Sequence, residues 1–203
     1  VAGTVGFDLH RGVVALGRRP SPPSPDRLLA AAAGSPARAG GPPLVAVLEG
    51  LNDHENIGAL FRNAAAFGVA GIVLDPTCAD PLYRRSIRVS MGHVLHLPFA
   101  RLEPWPAGLD QVRAAGFVVA ALSPRPAFVG GRRAVGLGAL GQRACRSGAP
   151  GGIALLLGAE GPGLSDGALA AADAVVSIPM AHGVDSLNVA TAAAIAFYAL
   201  TGS

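Results

Sequence analysis

The chain has 203 residues, enough for one domain with a sizeable core. Hydrophobic residues make up 51% of it and charged residues 14%, but the apolar runs are short and broken by Gly, Pro or charge. None approaches the roughly 18 residues that a membrane span requires, so no membrane partner is expected.

The formal charge is +3, and all sixteen basic residues are Arg. An Ala/Gly/Pro/Arg-rich composition accounts for part of that. The clusters Arg84, Arg85, Arg88, then Arg132, Arg133, then Arg143, Arg146 are candidate contacts to phosphate oxygens, which guanidinium forks match; the alternative is a solvated surface. Cys78 and Cys145 have no Cys or His partner at metal-ligand spacing, so neither a metal site nor a disulfide framework is expected. No charged start followed by an apolar signal stretch is present, and a cytoplasmic protein is the default expectation. The first residue is Val1, which suggests further residues upstream.

In chain order, residues 1–19 carry a mixed apolar pattern (Val5, Phe7, Leu9, Val13, Val14, Leu16) and are read as the tail of an additional domain. Residues 20–43 are rich in Pro, Ala, Ser and Gly with little to bury, and read as a linker with a short helix at 26–33. The domain proper is expected over 44–203. There, strands are predicted at 44–48, 71–74, 94–98, 116–122, 153–157 and 175–178, and helices at 55–68, 80–89, 107–115, 165–172 and 187–200. This alternation predicts an α/β fold, a mostly parallel sheet flanked by helices on both faces. The Gly-, Pro- and Arg-rich stretch 123–151 is too long for an idle connection and reads as a mobile loop facing substrate. In open parallel sheets ligands bind beyond the carboxyl ends of the strands, so the chemistry is sought in the segments that follow them.

Three such segments stand out. Leu51-Asn52-Asp53-His54-Glu55-Asn56-Ile57-Gly58-Ala59-Leu60-Phe61-Arg62-Asn63 opens a long helix, with Asp53 or Asn52 as its cap. Asn56 and Arg62 lie six apart, too far for one turn of contact, yet both are near the helix entrance. Leu157-Gly158-Ala159-Glu160-Gly161-Pro162-Gly163-Leu164-Ser165-Asp166 is a tight, backbone-exposing loop with one acid, Glu160, and with Ser165 or Asp166 to cap the next helix. Ile178-Pro179-Met180-Ala181-His182-Gly183-Val184-Asp185-Ser186-Leu187-Asn188-Val189-Ala190 leads from a strand to an Ala-rich helix, which Ser186 or Asp185 is expected to begin. Taken singly, each has a bland reading as a surface salt bridge, a plain turn or a cap. Gly136-Leu137-Gly138-Ala139-Leu140-Gly141 matches GxGxxG but follows an Arg-rich stretch rather than a clear βαβ start, and is set aside.

Together and in this order, the three segments resemble the SpoU (TrmH) family of RNA ribose 2′-O-methyltransferases, within the SPOUT superfamily. They match its N-x-G-A-x-x-R, L-G-x-E-G-x-G and I-P-M…S-L-N-V elements, and Ser90-Met91-Gly92 matches a small-residue S-x-G element. The likeness covers about 44–203. It departs at Asn63, where Thr is common, and at Ala190, where Ser is. The stretch around His10-Arg11-Gly12 resembles the connection from an N-terminal RNA-binding domain.

The resemblance implies a C-terminal deep trefoil knot, a homodimer with active sites near the subunit interface, S-adenosyl-L-methionine as cofactor, and an RNA substrate, ribosomal before transfer RNA. It assigns chemistry to Arg62, supported by Asn56, Glu160, Ser186 and Asn188. Arg62 acts either as a base or as a cation that stabilises the developing alkoxide. The cofactor is expected against Leu122, Ser123, Gly158, Ile178, Met180 and Leu187. Two alternatives stand beside it: a non-catalytic RNA-binding module of the same fold, and a relative that methylates a base nitrogen.

Overall fold

The computed structural model describes residues 17–35, 41–124, 135–140, 152–181 and 185–201. Among these residues, seven parallel strands form one sheet: β1 (Leu44–Glu49), β2 (Gly71–Leu74), β3 (Phe99–Arg101), β4 (Val118–Leu122), β5 (Val135–Gly136), β6 (Ile153–Gly158) and β7 (Ala174–Ser177). Their spatial order is β3-β2-β1-β6-β4-β7-β5. Among the described residues, the α-helices are α1 (Pro25–Ala33), α2 (His54–Phe67), α3 (Arg84–Val89), α4 (Leu109–Ala114), α5 (Asp166–Ala171) and α6 (Val189–Thr201).

Alternation along the strands divides the core. Leu44, Ala46 and Leu48 of β1 point with Ile153, Leu155 and Leu157 of β6 to one face. There they meet Ile57, Leu60, Phe61 and Ala64 of α2 and Ala193, Ala196 and Phe197 of α6. Val45, Val47, Ala154 and Leu156 point to the other face and meet α1, α4 and α5. Both faces of the central strands are therefore dry, which is why they read as continuous apolar runs.

Local chemistry fixes the helix ends. The Asp53 carboxylate accepts from the N–H of Glu55 (2.6 Å) and of Asn56 (3.1 Å), so Asp53 is the α2 cap. Gly68, at φ 71°, closes that helix in the left-handed region. Ser24 caps α1, with Pro25 following in the first turn.

Four expectations are corrected. The 94–98 segment is not a strand: His93–Leu95 is a 3-10 turn entered through Met91 (φ 54°) and Gly92 (φ 83°), and the strand follows at Phe99–Arg101. Only Val94 of that turn is buried, whereas Leu95 and His96 are exposed, so the alternation of apolar residues imitated a strand. The helix expected from 80 starts at Arg84, because Asp80 turns the chain by accepting from the Leu82 N–H at 3.0 Å. The 20–43 stretch, read as having little to bury, places Leu28, Leu29 and Ala32 of α1 in the core beside Val73, Ala100 and Val112. Lastly, the 123–151 stretch contributes β5 to the sheet edge, paired with β7; its residues 125–134 and 141–151 lie outside the described residues. So do residues 1–16, and with them the apolar pattern and the His10-Arg11-Gly12 element; Arg132, Arg133, Arg143, Cys145 and Arg146 likewise fall outside.

Candidate active site

The carboxyl ends of β4, β6 and β7 open onto a cavity of about 460 Å³. Its lining includes Leu122, Ser123, Gly158, Glu160, Ile178, Met180, Ser186, Leu187 and Asn188. All six residues expected to contact a cofactor are among them. The volume falls within the range of small-molecule sites, and the walls combine exposed loop backbone with apolar side chains. Leu157, Leu164, Leu169, Val189 and Ala192 complete the apolar part.

The loop after β6 is shaped by its glycines. A Cβ at Gly158 would lie 2.4 Å from backbone atoms of Gly163 and Leu164, so only glycine allows the loop to fold back on itself. Gly161 and Gly163 take φ values of 87° and 74°, and Ala159 bridges to Gly163. Ser165 then caps α5 by accepting from the Ala168 N–H.

A buried carboxylate at the end of β1 holds the exit of this loop. Glu49, 8% exposed, accepts from the Ser165 N–H (2.9 Å), the Ser165 hydroxyl (2.6 Å) and Trp105 Nε1 (2.6 Å). Neither Glu49 nor Trp105 was among the residues expected to matter. The available signal was Glu49 itself, a lone acid closing the apolar run LVAVL.

Asn188 joins the three sequence segments. Its Nδ2 donates to Glu160 Oε1 (2.6 Å) and to Asn56 Oδ1 (2.9 Å). Its Oδ1 accepts from the N–H groups of Ala190 (2.9 Å) and Thr191 (3.2 Å), which makes it the cap of α6. This corrects the expectation that Ser186 or Asp185 begins that helix. Ser186 is left facing the cavity. His182, Gly183 and Val184 lie outside the described residues.

Among the described residues, Arg62 makes no hydrogen bond to this cluster. It is exposed, two turns into α2, and does not line the cavity. Six residues at 100° each place it about 120° around the helix from Asn56 and about 9 Å along it. Among the described residues no carboxylate pairs with it. The two departures from the family pattern meet each other: Asn63 Nδ2 donates 2.8 Å to the Ala190 carbonyl, tying α2 to α6. Gly136 ends β5 at the sheet edge and takes no part in the cavity.

A parallel sheet with a small-molecule cavity at its carboxyl end defines a ligand-binding α/β protein, and the comparisons place it more narrowly. Residues 43–198 match the SpoU rRNA Methylase family, and the chain belongs to that family. A Mycobacterium bovis protein named as an uncharacterized tRNA/rRNA methyltransferase is 46% identical over all 203 residues, which span 64% of that relative's length. The structure is similar to an AdoMet-bound rRNA methyltransferase from Sinorhizobium meliloti (TM-score 0.66, 29% identity), covering 77% of this chain and 55% of that one. It is also similar to a solved RNA 2′-O ribose methyltransferase (TM-score 0.63, 26% identity), covering 92% and 59%.

Proposed function

We propose that this chain is the catalytic domain of an RNA methyltransferase that uses S-adenosyl-L-methionine to methylate a ribose 2′-hydroxyl, in ribosomal RNA before transfer RNA. The observation that carries this reading is the Asn188 node, which ties Asn56, Glu160 and Asn188 together at the edge of a cofactor-sized cavity. The AdoMet-bound relative and the relative named for 2′-O ribose methylation support the cofactor and the target atom.

When bound, the cofactor supplies a methyl group already activated by the adjacent sulfonium. The protein's task is then to align the nucleophile and manage its proton. Ile178, Met180, Leu187 and Leu122 offer apolar surface for an adenine ring, while the backbone around Gly158 and Ser123 offers donors and acceptors for its edge. Glu160 and Asn56 are held by the Asn188 amide, and with Ser186 they orient the ribose. Arg62 stabilises negative charge developing on the 2′ oxygen, while water or a phosphate takes the proton.

Arg62's distance from the cluster within one chain fits a homodimer, in which the sites form near the interface. Phe67 of α2 meets Tyr198 of α6 edge to face at 6.1 Å, and Ile195 and Tyr198 remain 40% and 58% exposed. That apolar face is where the reading puts the partner. The C-terminal knot and the division into a tail (1–19), linker (20–43) and methyltransferase domain (44–203) belong to the same reading, with α1 docked on that domain.

The test is transfer of labelled methyl to ribosomal and transfer RNA, followed by nucleoside digestion and mass analysis. A 2′-O-methylnucleoside is expected. A base-methylated nucleoside would overturn the target atom, and absence of both transfer and cofactor binding would favour a non-catalytic RNA-binding module.

A further inference from the structure

Beside the start of α2, on the side away from Asn56, an aromatic and cationic group is assembled from two helices. The His54 and Tyr83 rings lie 4.3 Å apart, centroid to centroid, at 44°. The Arg84 guanidinium stands 5.9 Å from the Tyr83 ring centre. The arrangement is braced from both sides, since the Ser86 hydroxyl donates to the His54 carbonyl at 3.0 Å and Arg85 pairs with Glu55. Gly58 leaves α3 room to approach: a Cβ there would meet the Ser86 carbonyl at 2.8 Å.

Despite this bracing, Tyr83 stays 43% exposed. Packing alone does not require a tyrosine held out on the surface between a histidine and an arginine. Among the described residues, Arg84 and Arg88 have no carboxylate partner, and they sit one turn apart on α3. Arg85 is the only one of the three α3 arginines with an ion-pair partner among the described residues, so two cations there face solvent.

We infer that Tyr83, backed by His54 and with Arg84 beside it and Arg88 one turn further along α3, is a stacking platform for an unpaired base of the RNA, close to the nucleotide whose ribose is methylated. This rests on the RNA reading above. His54 and Asn56 share the first turn of α2 and differ by about 200° around its axis. The platform and the Asn56–Asn188–Glu160 cluster are therefore on opposite sides of a helix about 10 Å wide. That separation suits a base one or two nucleotides from the target. An aromatic face serves any base, and the arginines add cation–π and phosphate attraction; together they fit a single-stranded loop or bulge.

The test uses the full chain, a labelled oligoadenylate of roughly 12 nucleotides and the same oligomer carrying 2-aminopurine. Tyr83→Leu is expected to weaken binding on the order of ten-fold and to abolish 2-aminopurine quenching, while Tyr83→Phe keeps both. Arg84→Gln is expected to weaken binding and to reduce its salt dependence by about one ion. Inorganic polyphosphate should compete equally for the wild type and Tyr83→Leu, because it has no base to stack. Equal affinity and quenching in the wild type and Tyr83→Leu would overturn the platform alone. A wild type that binds neither the oligomer nor ribosomal RNA would overturn the RNA reading and the platform with it.

Discussion

The Asn188 amide nitrogen donates to the Glu160 carboxylate at 2.6 Å, and the oxygen of the same amide caps α6. One side chain thus sets the start of a core helix and the position of an acid at the cavity. Four bonds with matching donors and acceptors also fix which way the amide points. Asn188→Asp keeps the capping oxygen but sets a second carboxylate against Glu160. Methyl transfer is expected to fall by about 10²-fold with the fold retained. Single-turnover transfer alongside a thermal melt checks it; unchanged turnover would remove the cluster from the mechanism.

Arg62 is exposed and unpaired among the described residues, so Arg62→Ala should change stability by no more than about 0.5 kcal/mol. Cofactor affinity by calorimetry should hold, while transfer to the true RNA is lost. Surviving turnover would show that the proton and the charge are managed elsewhere.

Glu49 accepts three hydrogen bonds at the exit of the loop that follows β6. Glu49→Gln replaces one acceptor by an NH2 facing donors and should cost about 2–3 kcal/mol in urea denaturation. Because Ser165 closes the loop that begins at Gly158, cofactor affinity should weaken as well. A stable variant with unaltered affinity would limit Glu49 to a replaceable strut.

Leu29 of α1 is fully buried. Leu29→Ala should cost about 2–5 kcal/mol, a range set by how far the cavity collapses. A loss below about 0.5 kcal/mol would mean that α1 lies outside the cooperative unit.

The Cys78 thiol is pushed up from 9.0 to about 12, first by burial and then by the Asp75 carboxylate. A thiol whose folded value is raised adds stability that is full below its unfolded value and lost as pH rises through the folded one. Stability should therefore decline between pH 9 and 12, and Cys78→Ser should flatten that decline. In a Cys145→Ser background, alkylation of Cys78 at pH 8 should be slow in the folded protein and rapid in urea. Fast alkylation of the folded protein would contradict the burial.

Where sequence reading succeeded, the governing physics was local. Asp53 and Ser165 cap helices through atoms two or three residues away, and the strands buried on both faces appear as unbroken apolar runs. The three motifs were legible because each lies in the segment following a strand. Where reading failed, a distant partner decided the outcome. At 94–98, apolar alternation suggested a strand, but the turn at Met91 and Gly92 buries Val94 alone. In α1 the helix is legible in the sequence but its docking is not: two leucines amid Ala and Pro read as little to bury, whereas β2, β3 and α4 supply the packing partners.

The order of strands and helices, the family and most of the cavity lining are legible in the sequence, because periodicity and short motifs act over a few residues. That Asn188 rather than Ser186 caps α6, and that Glu49 and Trp105 brace the loop at Ser165, emerges only from the folded chain. Those outcomes depend on hydrogen bonds between residues far apart in the chain, 132 positions for Asn188 with Asn56 and 116 for Ser165 with Glu49. No local pattern encodes such pairings.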